Sequence, residues 1–102
     1  MKVFVSTPFK GKSEKEVRTC LAETERLLKK KLGENVEVVH NYDFTLENNG
    51  CDSRMACMAE AIRKMSECDA IVMRGDWQEA RGCLIENHVA ADCGMTMIIL
   101  GE

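Results

Sequence analysis

The chain reads as a single α/β domain, Rossmann- or flavodoxin-like, with a mostly parallel sheet of about four strands and helices on both faces. Two observations and one general rule predict this. Short runs rich in β-branched and apolar residues recur at residues 2–6, 36–39, 69–73 and 95–100. Segments of helical periodicity separate them, opening near Ser13, Ser53 and Glu79. Strands that alternate with helices pair in parallel through right-handed crossovers, which leaves helices on both sides of an open sheet. By analogy with flavodoxin-like folds the strand order is expected to be 2-1-3-4. At 102 residues the chain is one domain, 1–102, with a modest core.

Residues 2–6 form the first strand, and the loop Ser6-Thr7-Pro8-Phe9-Lys10-Gly11 interrupts it with proline and glycine. Ser13 followed by Glu16 is a capping box and starts a long first helix. Val17, Cys20, Leu21, Leu27, Leu28 and Leu32 fall mostly on one side of it, and Gly33 ends it. Val36, Val38 and Val39 mark a second strand. A polar stretch from His40 to Ser53, with Asn48-Asn49-Gly50 at its tip, is long enough for a functional loop. Asp52 or Ser53 caps a second helix, where Met55, Met58, Ile62 and Met65 form a stripe that suits a core or a dimer interface. The third strand is 69–73, the third helix about 79–93, and the last strand 95–100. Gly94 stands where a helix terminus favours positive φ.

Composition narrows the classes. An apolar fraction of 45% and a charged fraction of 30% describe an ordinary soluble globular protein. The net charge of −3, with no basic block, argues against a large nucleic-acid footprint. No apolar run approaches a membrane span, and the first residues enter a strand pattern at once, so a cytoplasmic protein without membrane contact is expected. The six cysteines show no Cys-x-x-Cys pair and no histidine at ligand spacing. Cys20, Cys57, Cys68, Cys83 and Cys93 are expected as free core thiols, with Cys51 the plausibly exposed one. No metal or organic cofactor is implied.

The stretch Gly75 to Gly94 carries most of the functional signal. A strand, a glycine turn and a helix place backbone N–H groups and a positive helix end at the sheet edge, where phosphates and sugars bind. Gly82, Glu86 and Ala90 share one helix face at spacing four, leaving room around a single carboxylate. In an open α/β sheet the ligand site lies beyond the C-terminal strand ends, where strand order reverses. The loops Ser6–Gly11 and Arg74–Ala80 should therefore face each other, with Glu86 near the first. Ser6, Thr7 and Lys10 could touch a phosphate or ribose from one side. Gly75, Asp76, Trp77, Arg81 and Gly82 would line the other, with Arg81 and Gly82 on phosphate or sugar and Trp77 either on a base or over the sheet edge. His40, Asn41, Tyr42 and Asp43 are lesser candidates to line the pocket, while His88 points to a different face from Glu86. A carboxylate so placed can attack an anomeric carbon or stabilise an oxocarbenium-like transition state; the alternative for Glu86 is a surface residue in the second turn of the helix.

The motifs VFVSTPFKG, CDAIVM and Gly82-x-x-x-Glu86-x-x-x-Ala90-x-x-x-Gly94 together resemble the nucleoside 2-deoxyribosyltransferase-like superfamily. The resemblance covers nearly the whole chain. The GDW-x-x-A-x-G-C-x-x-E form is most similar to its small phage and bacterial relatives, and the deoxynucleoside 5′-monophosphate N-glycosidases belong to the same group. What the resemblance implies is cleavage or transfer of an N-glycosidic bond, Glu86 as nucleophile, a nucleoside or nucleotide as substrate, and a homo-oligomer. The family's first-strand tyrosine falls on Phe4, its helix aspartate on Ala61 beside Glu60, and its serine before the phosphate-binding glycine on Ala80. A non-catalytic nucleotide-binding or sequestering module is the alternative. A third reading is an interaction protein that associates through the methionine-rich second helix.

Overall fold

The computed structural model describes residues 1–9, 11–42 and 53–100. Four strands form one parallel sheet, β1 (Lys2–Ser6), β2 (Glu37–Val39), β3 (Ala70–Met73) and β4 (Thr96–Ile98), in the order β2-β1-β3-β4. Three helices connect them, α1 (Glu14–Leu32), α2 (Arg54–Ser66) and α3 (Arg81–Asp92). The α/β class and the strand order match the sequence expectation. Boundaries move slightly. A 3-10 turn at Trp77–Glu79 precedes α3, and Ala80 is extended between them, so the third helix starts two residues later than its periodicity suggested.

Parity along the strands decides what each helix covers. Val3, Val5, Ala70 and Val72 point to one face, where Val17, Leu21 and Leu28 of α1 meet them. Phe4 and Ile71 point to the other, against Ala61 and Met65 of α2 and Ala90 of α3. The register Val3↔Ala70, Phe4↔Ile71, Val5↔Val72 and Ser6↔Met73 keeps this alternation in step across β1 and β3. Ser6 shares its parity with Phe4 and so projects towards the α2 and α3 side. The helix termini follow from local chemistry. Ser13 and Glu16 complete the capping box of α1, Gly33 ends it at φ 105°, and Ser53 accepts from the Ala56 N–H at the start of α2. Asp69 accepts from the Lys2 backbone N–H at 2.7 Å, a structural role beside the sheet edge.

Three sequence expectations change. Cys57 is disulfide-bonded rather than a free core thiol. Cys93, at the C-terminus of α3, is exposed, whereas Cys83 is buried as expected. The methionine stripe of α2 splits: Met65 is buried, but Met55, in the first turn, is 82% exposed because the buried part of the helix begins only at Ala61. Cys51, Asp52, Asp43 and the Asn48-Asn49-Gly50 tip lie outside the described residues. Among the described residues no helix is long and apolar enough to cross a membrane.

Candidate functional site

The site is assembled from three elements. Ser6 ends β1 on the α3 side, Glu86 sits one turn before the buried Ala90 of α3, and β1 lies next to β3, the strand that leads into α3. These placements bring residues 80 apart in sequence into contact: the Ser6 hydroxyl donates to Glu86 Oε1 at 2.5 Å. Glu86 and Ser6 line a small cleft of ≈ 270 Å³, a volume that includes its open mouth. Phe4 forms part of the cleft wall, and His40, Asn41 and Tyr42, which follow β2, face the site from the far side of β1. Phe9 and Tyr42 meet edge to face with ring centroids 5.0 Å apart.

The two loops predicted to face each other do so. Gly75 has φ 64°, and a Cβ there would lie 3.4 Å from Thr7 Oγ1 and 3.6 Å from Pro8 Cδ. Lys12 Nζ and Asp76 Oδ1 pair across the gap at 3.6 Å. Gly75→Ala is therefore expected to destabilise the protein by about 1–2 kcal/mol, from the left-handed backbone and the crowded Thr7 contact together. A thermal melt checks this, and an unchanged melting temperature would show that the β1–α1 loop yields without cost.

Electrostatics separates the titratable groups. Burial raises the Glu86 carboxyl above its ordinary value, and the hydrogen bond from Ser6 partly offsets this. Cys83, buried in the first turn of α3, is pushed up to about 11 by burial, with the Glu86 and Asp76 charges adding to the effect and a Ser6 hydrogen bond opposing it. Its thiol stays protonated at neutral pH and is no nucleophile. His40 is held below the ordinary histidine range by burial first and then by the Lys64 charge. Its Nδ1 lies 3.2 Å from the Tyr42 backbone N–H, which donates to it.

The candidates named from sequence divide by position. Ser6, Thr7 and Glu86 line the cleft, as do His40, Asn41 and Tyr42. Gly75, Asp76, Arg81 and Gly82 are exposed at the β3–α3 connection, Trp77 is half-buried in the 3-10 turn, and none of these five lines the cleft itself. Lys10 lies outside the described residues. His88 is exposed. The sequence places Phe9 only within a loop, and its pairing with Tyr42 joins two loops whose approach no local pattern signals. Phe4 and Ala61 are both almost wholly buried. Glu60, next to Ala61, is partly exposed and bridges to Arg63 at 2.6 Å. Arg74, which follows β3, turns to the α1 side, where its Nε donates to Thr24 Oγ1 at 3.0 Å. Among the described residues no group of three or more histidine, cysteine or acidic side chains could hold a metal ion.

Residues 1–99 match the family model described as Domain of unknown function (DUF4406), and the chain belongs to that family. No curated protein and no solved structure matches it.

Proposed function

Starting from a DUF4406 chain with one partly buried carboxylate in a small cleft, we propose that the protein cleaves or transfers the N-glycosidic bond of a nucleoside or nucleotide. The observation that carries this reading is the Ser6–Glu86 pair at the C-terminal edge of β1, with the carboxyl desolvated yet held by the Ser6 hydroxyl. A nucleophilic carboxylate needs a fixed rotamer and partial exclusion of water, and this arrangement supplies both. In the reading, Glu86 attacks the anomeric carbon and forms a glycosyl-enzyme intermediate. Water or a second base then resolves it. The Phe9 and Tyr42 rings offer an apolar wall for the base. Ser6 and Thr7 border the sugar. A phosphate, where the substrate carries one, would lie towards Gly75, Asp76, Trp77, Arg81 and Gly82 at the start of α3, where Ala80 supplies no side-chain cap to compete for the helix N–H groups. Lys10 belongs to the same proposed loop. No cofactor enters this chemistry.

A non-catalytic nucleotide-binding module is the second reading, favoured by the hydroxyl-free, buried Phe4 and Ala61. Chromatography of deoxynucleosides and their 5′-monophosphates incubated with the protein, with and without a competing free base, separates the two. The glycosidic reading expects base release or exchange. A nucleotide-dependent rise in melting temperature with no product would overturn it in favour of binding alone. The proposal also includes a cytoplasmic location and a homo-oligomer, the latter supported by exposed Met55, Leu84 and Ile85 on α2 and α3.

A further inference from the structure

Burying a guanidinium is costly even when its charge and its N–H groups are met, so a buried arginine outside the cleft lining calls for a reason. Arg74 is such a group. It is 9% exposed, follows β3, and sends its side chain to the α1 side. Its Nε donates to Thr24 Oγ1 at 3.0 Å, and its Nη2 lies 3.7 Å from a Glu23 carboxylate oxygen. Thr24 is wholly buried and donates its own hydroxyl to the Cys20 carbonyl at 2.7 Å. Cys20 Sγ in turn meets Thr7 Oγ1 at 3.5 Å, and Thr7 lines the cleft. The Arg74 backbone N–H donates to the Ser6 carbonyl at 2.9 Å, and the Ser6 hydroxyl is the one that reaches Glu86. The network thus ends on Ser6 and Thr7, the two residues through which β1 runs out under the cleft.

We propose that Arg74 is a positioning residue: clamped to α1 through Thr24 and Glu23, it fixes the end of β1 so that Ser6 meets Glu86 and Thr7 borders the ligand. The inference rests on the glycosidic reading above, since it concerns how the nucleophile of that reading is held. Two routes run from the guanidinium. One follows the residue's own backbone to the Ser6 carbonyl, and the other passes through Thr24 and Cys20 to Thr7. A displacement of about 1 Å along either would carry reacting atoms out of line, which can cost on the order of 100-fold in rate. An apolar residue of similar volume often supports a fold as well as a buried ion pair does, so stability alone does not require the arginine. The influences on the Glu86 carboxyl are burial and the Ser6 hydrogen bond. Arg74 therefore acts on Glu86 through Ser6 rather than through its charge.

The test is an NMR pH titration of the Glu86 side-chain carboxyl carbon in wild type, Arg74→Met, Thr24→Val, Thr24→Ser, Ser6→Ala and the Ser6→Ala/Arg74→Met double variant. Arg74→Met is expected to move the midpoint to higher pH, in the same direction as Ser6→Ala, and to add nothing once residue 6 is alanine. Thr24→Val keeps the Arg74 charge but breaks both links of the threonine, so it should move the midpoint the same way, while Thr24→Ser should titrate as wild type. A midpoint that stays in place in Thr24→Val despite a lowered melting temperature would make the network structural and overturn the proposal. So would an equal displacement by Arg74→Met with and without the Ser6 hydroxyl, which would be the lost charge acting at a distance. In base release, Arg74→Met is expected to lower kcat/KM about tenfold or more, and an unchanged value would also overturn the proposal. The titration needs no turnover. Wild-type protein silent towards deoxynucleosides and their 5′-monophosphates would overturn the glycosidic reading, and the titration would still decide whether Arg74 holds Ser6 on Glu86.

Discussion

Replacing Glu86 with alanine is expected to lower kcat for base release on the order of 10⁴-fold or more, with ligand affinity largely retained. Without the carboxylate no glycosyl-enzyme forms, while Ser6, Thr7 and the aromatic wall still contact ligand. The same group sets a pH dependence. The acid limb of kcat/KM reports ionisation of Glu86 in the free protein, and burial raises that carboxyl above its ordinary value of 4.5. Ser6→Ala removes the hydrogen bond that lowers it, so the limb should move to still higher pH. A limb that stayed in place would show that Ser6 does not act on Glu86.

The stability consequence has the opposite sense from that of a salt-bridged carboxylate. A folded pKa above the unfolded one gives a contribution that is complete below the unfolded value and lost as pH rises through the folded value. At neutral pH the fold therefore carries the cost of an ionised, partly buried group. Glu86→Gln stays neutral and can still accept from Ser6, so it should melt above wild type near neutral pH and converge with it in acid. A melting difference that is the same at every pH would contradict the desolvation account.

The largest effect on stability is expected at Phe4. It is 1% exposed and packs with Ile71, Ala61, Met65 and Ala90 on the α2 and α3 face. Phe4→Ala removes that volume from beneath two helices and should cost about 3–5 kcal/mol. This is a large share of the roughly 5–15 kcal/mol that holds a domain folded. Phe9 is the control, because it is 39% exposed and its main aromatic partner is Tyr42. Phe9→Ala should cost about 1 kcal/mol and act mainly on ligand affinity. Urea denaturation of the two variants checks the contrast, and similar midpoints would mean that Phe4 does not anchor this half of the core.

Much of the fold was legible because hydrophobic period and helix punctuation agree along the chain. The valine-rich runs alternate with helices opened by Ser13 and Ser53 and closed by Gly33 and Gly94, so a parallel sheet with its reversal between β1 and β3 follows. That reversal is also why Glu86 could be expected beside the first loop before any distance was known. The contents of the cleft were less legible. Trp77 looked like the aromatic residue for a base, yet the 3-10 turn and the extended Ala80 carry it away from the cleft, and turn geometry of that kind leaves little trace in composition. Phe9 and Tyr42 come together through two separate loops, a contact no periodicity encodes. The methionine stripe misled at Met55, because amphipathic spacing shows which face turns inward but not how far along the helix the neighbouring sheet extends. The Cys57 disulfide had no signal in the cysteine spacing.

The central claim is that Glu86 is a nucleophile that becomes covalently attached to sugar. The measurement that tests it most directly is mass spectrometry of acid-quenched, proteolysed protein after incubation with deoxynucleoside 5′-monophosphates, with base release followed in parallel. The account predicts a deoxyribosyl-phosphate adduct on the peptide containing Glu86, absent in Glu86→Gln. Base released at an unaltered rate by Glu86→Gln, or an adduct on another side chain, would contradict it.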